Sequence, residues 1–156
     1  MYLYQTLRRL GVQSPDLADV THDVFVTVFR HLQDYDPTRA LRPWLFGFAL
    51  RVASDYRKKA RHRYTQVSTQ DRELDAEGPQ PDEDAEAREL RRDLLRALDA
   101  MDFDRRAVVV MHDIDGQTVP DMAVFFNVPL NTMYSRLRLA RTELESQLRR
   151  IRGESR

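Results

Sequence analysis

The 156-residue chain is 42% hydrophobic and 32% charged, a balance that supports a packed core and excludes wholesale disorder. It contains no cysteine, which excludes disulfides, zinc–thiolate centres and cysteine nucleophiles and accords with a reducing compartment. Lys+Arg and Asp+Glu are both 25, so net charge points to no class of partner.

Apolar spacing predicts helix throughout the chain. Leu3, Leu7 and Leu10 follow a helical period that Gly11 stops. Ser14 then caps a helix with Pro15 at its first position, and Leu17, Val20, Val24, Val28 and Leu32 form its stripe. Asp34–Pro43, with two prolines, reads as a turn-rich loop. Helical spacing resumes from Trp44 to about Arg63 through Leu45, Phe48, Val52 and Tyr56. Thr69–Ala87 is acidic, lacks aromatics and carries Gly78-Pro79 and Pro81, the composition of a flexible linker. Helix returns near Leu90, with Leu94, Leu95 and Leu98. Asp104 is a candidate cap for a helix through Val108, Val109 and Met111, and Asp115-Gly116 is a turn. Thr118 with Asp121 resembles a capping box ahead of Met122, Ala123, Phe125 and Phe126. Asn127 suits a left-handed helix end, Pro129 blocks continuation, and Asn131 caps a last helix to about Ile151. The expected fold is therefore all-α: two small helical domains, 1–65 and 89–156, joined by an acidic flexible linker, 66–88. No apolar run approaches the ~20 residues of a membrane span. The start "MYLYQTLRRLGV" lacks a basic n-region and a cleavage site, so no signal peptide is expected.

Charge is segregated along this order. Residues 1–65 carry 11 basic against 6 acidic side chains, and residues 66–92 carry 4 against 9. Residues 93–156 balance at 10 against 10, but from Asn131 onward the count is 7 against 3. Segregation of this kind is a footprint of polyanion binding, although solvated surface faces produce it too.

The last helix carries the sharpest signal. At 100° per residue, Met133, Leu137, Ala140, Leu144, Leu148 and Ile151 fall within about 80° of one another as a buried stripe. Asn131, Tyr134, Ser135, Arg138, Leu139 and Thr142 lie opposite, while Arg136 and Arg141 flank the stripe. Short polar groups, an aromatic and an arginine suit base edges, and flanking arginines suit phosphates. A short helix, a tight turn and a longer helix with this face predict a DNA-binding helix-turn-helix with Asn131–Leu144 as recognition helix.

The stretch "MDFDRRAVVVMHDIDGQTVPDMAVFFNVPLNTMYSRLRLARTEL" resembles region 4 of sigma-70 family factors, especially the extracytoplasmic-function group. "DLADVTHDVFVTVFRHLQDYDPTRALRPWLFGFALRVASDYRKKARHR" resembles region 2 of the same group. The resemblance implies a cytoplasmic initiation subunit with no cofactor or catalysis of its own. It implies core RNA polymerase (β′ clamp helices and β flap), promoter DNA and an anti-sigma factor as partners. Region 4 would read the minus-35 element through Asn131, Thr132, Tyr134, Ser135, Arg136, Arg138, Leu139 and Arg141. Region 2 would dock on the clamp through a helix Asp16–Leu32, presenting Asp16, Asp19, His22, Asp23 and Arg30. It would open the minus-10 element with Arg39, Arg42, Trp44, Arg51, Arg57, Lys58, Lys59 and Arg61. Melting needs a pocket for an extruded base and a cationic track for the strand. Trp44, Phe46, Phe48 and Tyr56 supply aromatics, of which at least two, Phe48 and Trp44 first, are expected to be plain packing. The basic run 57–63, closing on Arg63, supplies phosphate contacts.

Three departures from the family stand out. Sigma region 2 usually opens with further helix ahead of "TLRRLG", which leaves two readings of this start: a truncated region 2 or a misassigned start codon. Phe125-Phe126-Asn127 replaces small or aliphatic residues followed by Gly, and His22 replaces a more usual Gln. Two rival readings remain. A stand-alone helix-turn-helix regulator would need a ligand or phosphoacceptor domain, which the basic N-terminal half does not resemble. A metal hydrolase would draw on His22-Asp23, His31 and His112-Asp113, but adjacent helical residues diverge and make poor paired ligands. No HExxH, phosphate-binding glycine loop or G-x-S-x-G motif occurs.

Overall fold

A computed structural model describes residues 1–64 and 84–154, and the segment carrying most of the predicted linker lies outside them. Among the described residues there are seven α-helices and no strand. The chain divides into two compact units, Met1–Glu73 and Leu74–Arg156.

The first unit packs three helices: α1 (Tyr2–Arg9), α2 (Ser14–Arg30) and α3 (Leu41–Tyr64). Gly11 ends α1 as predicted, at φ 97°, where a residue with a Cβ would be strained. The turn is closed by Leu10 N–H to the Thr6 carbonyl at 2.9 Å and Val12 N–H to the Leu7 carbonyl at 3.1 Å. Gln13, not Ser14, occupies the cap position of α2, and Pro15 sits in the first turn. The core joins Leu7, Leu10, Leu17 and Val24 to Phe46, with Ala49 and Ala53 wholly buried. Each buried leucine contributes about 1.5–3 kcal/mol.

Three expectations change here. First, α3 begins at Leu41, not Trp44, because Pro43 falls in the first turn, where its missing N–H costs nothing. Second, the helical spacing read through Leu45, Phe48, Val52 and Tyr56 marks half-buried positions, and the fully buried side of α3 is Phe46, Ala49 and Ala53. Two alanines mark that face because they let neighbouring helices approach closely. Third, Leu32 leaves the α2 stripe and is 53% exposed. The helix has already ended at Arg30, and His31 (φ −105°, ψ 11°) turns the chain into a short 3₁₀ turn, Leu32–Asp34.

The second unit contains α4 (Ala85–Ala100), α5 (Phe103–Val109), α6 (Val119–Phe125) and α7 (Leu130–Glu154). Helix α4 begins at Ala85, so residues 85–88 are helical although the linker was expected to reach 88. Asp84 caps them, its Oδ1 accepting from Ala87 N–H at 2.8 Å. Asp102, not Asp104, caps α5 by accepting from the N–H groups of Asp104 and Arg105. A single π turn, Val110–Ile114, follows α5.

The cap expected at α6 forms as half of a capping box, with the Asp121 carboxylate taking the Thr118 hydroxyl instead of its backbone N–H. Thr118 Oγ1 accepts from Asp121 N–H at 3.2 Å and donates to Asp121 Oδ2 at 2.6 Å. Thr118→Ala is expected to cost about 1 kcal/mol, read as a lower denaturant midpoint for unfolding of this unit. Asn127 takes the left-handed conformation (φ 52°) that ends α6, and Val128 N–H returns to the Ala123 carbonyl at 3.0 Å. Phe125 and Phe126 fit the departure from the family by packing edge to face, centroids 4.9 Å apart. Helix α7 starts at Leu130, which puts Asn131 inside its first turn, not at the cap.

Candidate nucleic-acid interface

Helix α7 presents the face that its period predicts. Met133 and Ala140 are wholly buried, and Leu137 and Ile151 nearly so. Asn131, Thr132, Tyr134, Ser135, Arg136, Arg138 and Leu139 are all exposed. These side chains stand free of the hydrophobic contacts that hold the helix, so they are available for a groove.

Arg141 differs from its neighbours. Its Nε donates to Asp113 Oδ2 at 3.0 Å and its Nη2 to Asp113 Oδ1, a forked pair that raises the arginine pKa. The pair ties α7 to the π turn. Arg105 Nη1 likewise donates to Glu143 Oε2 at 2.8 Å, while Glu143 Oε1 accepts from Asp102 N–H at 2.9 Å. Two carboxylate links thus fix the angle at which α7 leaves the unit. His112 and Asp113, expected to diverge, approach to 3.4 Å because the wider π turn brings consecutive side chains closer. Among the described residues no three His, Asp or Glu side chains gather as a metal-ligand set.

In the first unit the minus-10 candidates scatter more than expected. Arg51 and Lys58 share one side of α3, with Asp55 between them and 3.9 Å from Lys58 Nζ. Lys59 and Arg61 are exposed on other sides, and Arg57 is half-buried. The Arg63 side chain lies outside the described residues. Arg39 pairs with Asp36 at 3.6 Å, and the Arg42 guanidinium lies 5.5 Å above the Tyr2 ring. Of the aromatics, Phe46 is core at 1% exposure. Tyr56 turns toward α2, where its hydroxyl donates to Asp16 Oδ2 at 2.6 Å. Trp44 and Phe48 are half-buried against each other, centroids 4.9 Å apart, which is the packing role expected of them.

The Tyr56 bond also corrects the clamp-facing set. Asp16 is half-buried and spoken for, whereas Asp19, His22, Asp23 and Arg30 are exposed as expected. The polar set omitted the apolar side of the same helix. Phe25 and Phe29 are 54% and 77% exposed, and with Val26, Val28, Arg30 and Leu32 they line a groove of about 430 Å³. Two aromatic rings exposed side by side on one helix leave apolar surface that the first unit itself does not cover. The signal was present in "VFVTVF", where apolar residues continue around the helix beyond one stripe.

Comparison with known proteins agrees with both units. The sigma-70 region 2 family model matches residues 2–63, and the sigma-70 region 4 model matches residues 91–144. RNA polymerase sigma factor CnrH of Cupriavidus metallidurans is 30% identical over 154 residues, covering 94% of this chain and 80% of that protein. RNA polymerase sigma factor NccH of Alcaligenes xylosoxydans xylosoxydans is 28% identical over 149 residues, with coverage of 94% and 80%. ECF RNA polymerase sigma factor SigE of Mycolicibacterium smegmatis is 29% identical over 98% of this chain, which spans only 60% of that protein. Among solved structures, CnrH in complex with the cytosolic domain of CnrY superposes with a TM-score of 0.60 at 27% identity, covering 94% of this chain and 80% of that one. The sigma factor RpoE, in complex with the anti-sigma factor NepR from Bartonella quintana, gives 0.72 at 20% identity, with coverage of 94% and 89%, and shows the shared fold. No helix among the described residues is long and apolar enough to cross a membrane. With both units matched by their own regional models and a relative 30% identical across nearly all of it, the chain belongs to the sigma-70 family, in its extracytoplasmic-function group.

Proposed function

We propose that the chain binds core RNA polymerase and directs it to specific promoters, leaving phosphodiester chemistry to the polymerase and acting in the cytoplasm. Residues 1–65 form the part that docks on the β′ clamp helices and opens the minus-10 element. Residues 89–156 read the minus-35 element beside the β flap. Docking uses the α2 groove of Phe25, Phe29 and Leu32 together with the neighbouring Asp19, His22, Asp23 and Arg30. Arg51, Lys58, Lys59 and Arg61 supply phosphate contacts along the opened strand. An anti-sigma factor would hold the free protein inactive, as the relatives solved with CnrY and NepR suggest.

The observation that carries this reading is the division of α7 between a buried Met133–Leu137–Ala140 stripe and an exposed Asn131–Tyr134–Ser135–Arg138 face. A helix anchored this firmly can hold base-reading side chains still in a major groove. Arg138→Ala is expected to change minus-35 preference, with a loss of ~1–3 kcal/mol at the base it contacts. Run-off transcription by reconstituted holoenzyme on a minus-35 library measures this. An equal drop on every promoter would show that Arg138 touches only the DNA backbone, and no drop at all that it touches nothing. Absence of any specific start site would remove the function itself.

A further inference from the structure

The loop between α2 and α3 is held from beneath and open above. Asp36 Oδ1 accepts from Thr38 N–H at 2.9 Å and from Thr38 Oγ1 at 2.7 Å, while Arg39 N–H donates to the Asp36 carbonyl at 3.0 Å. The Thr38 hydroxyl bond, then the Thr38 amide bond, holds the Asp36 carboxyl below its usual pKa. The turn is therefore intact above pH 3.8 and weakens only as pH falls through the lowered value. Asp36, Pro37, Thr38, Arg39 and Ala40 are exposed.

Tyr35 alone in this loop is half-buried, and it has two anchors. Its ring leans on Trp44, centroids 4.9 Å apart, and Trp44 in turn meets Phe48 edge-on at 4.9 Å. The His31 ring continues the row at 5.7 Å from Phe48, so the stack begins where α2 ends. From that base the Tyr35 hydroxyl reaches forward and donates to the Arg39 carbonyl at 2.7 Å. The bond spans the turn and fixes the distance between its two arms.

We infer that Tyr35 is a positioning residue for minus-10 recognition: its ring seats on Trp44 and its hydroxyl pins the Arg39 carbonyl, holding open the receptor for an extruded base. The inference rests on the proposed opening of the minus-10 element by residues 1–65, and takes the loop Asp34–Pro43, which by its resemblance to sigma region 2 matches the part that captures an unpaired base, as that receptor. A receptor ordered before the base arrives pays no ordering cost at capture, and a fixed outline rejects bases that do not fit. Tyr35 need not touch DNA. Arg39 and Thr38, at the exposed rim, are the groups placed to do so.

The test is run-off transcription by holoenzyme on a library randomised across the minus-10 element. Tyr35→Phe keeps the ring seat and removes only the bond to Arg39. Losing one such bond is expected to lower discrimination at the captured base about fivefold. Minus-35 preference and affinity for core polymerase should stay unchanged, a separation that general destabilisation would not produce. Unchanged minus-10 discrimination, or an equal loss on all minus-10 sequences, overturns the inference. Arg39→Ala and Thr38→Val separate it from the parent reading. If these shift base preference while Tyr35→Phe does not, only the positioning role of Tyr35 falls. If none of the three shifts it, the loop is not the receptor and both fall.

Discussion

Phe29→Glu is expected to lower affinity for core RNA polymerase by about 100-fold, the scale of a central aromatic anchor at a protein interface. Phe29 is 77% exposed on α2 and contributes to the groove that also holds Phe25 and Leu32. An aromatic ring that solvates this much apolar surface in the free protein gains most when a partner covers it. A carboxylate at the same place would be buried unpaired on docking, a cost that adds to the lost ring. Asp19, His22, Asp23 and Arg30 sit nearby as exposed polar groups. They would act as rim contacts, and their replacement should affect association rate and salt dependence more than final affinity. Because Phe29 packs in no core, the folded state should survive the exchange. A pull-down or fluorescence titration with core enzyme reads the effect directly. Phe29→Glu binding within twofold of the parent would remove the groove from the docking surface. Arg138→Ala serves as the control and should leave core affinity untouched.

How far the sequence exposes such residues depends on whether their signal is local. Helix α7 was legible because Met133, Leu137, Ala140 and Ile151 recur at one period and the opposite side is mostly polar, with Leu139 the exception. Thr118 and Asn127 were legible because caps and left-handed turns are decided within a few residues. In α3 the helical spacing runs through Leu45, Phe48, Val52 and Tyr56, which are only half-buried, whereas Phe46, Ala49 and Ala53 are buried. Only the neighbouring helices decide whether a small residue is a gap or a contact. Asp16 enters the clamp-docking set through the resemblance to sigma region 2, not through a local pattern. Its partner Tyr56 is 40 positions away, and no local pattern announces that bond. The same limit hid Phe25 and Phe29. A helix that is apolar most of the way round does not say which side its own unit covers.

Arg106 is the extreme case, and Arg106→Met is expected to destabilise the second unit by about 3–5 kcal/mol. In "DFDRRAVVVM" it looks like one of two surface arginines ahead of an apolar run. Arg105 is indeed exposed, but Arg106 is 1% exposed, the largest wholly buried side chain described. Its Nε donates to the Leu98 carbonyl at the end of α4, and its Nη2 donates to Asp99 Oδ1 at 2.8 Å. One guanidinium thereby satisfies a helix-terminal carbonyl and neutralises a half-buried carboxylate, joining α4 to α5. Methionine would fill much of the space, yet leave both acceptors without their donor. Lysine would keep the charge but cannot reproduce the fork, so Arg106→Lys should fall between. Against a total stability of roughly 5–15 kcal/mol for a domain, the loss would leave the second unit close to its unfolding transition at growth temperature. The double variant Arg106→Met/Asp99→Leu separates the causes. Removing both members of the ion pair should recover the part of the loss that comes from Asp99, while the part from the Leu98 carbonyl remains. Chemical denaturation of the three proteins reads the difference. A single-variant loss under about 1 kcal/mol would mean that water already serves these acceptors and that the arginine is packing, not a fastening.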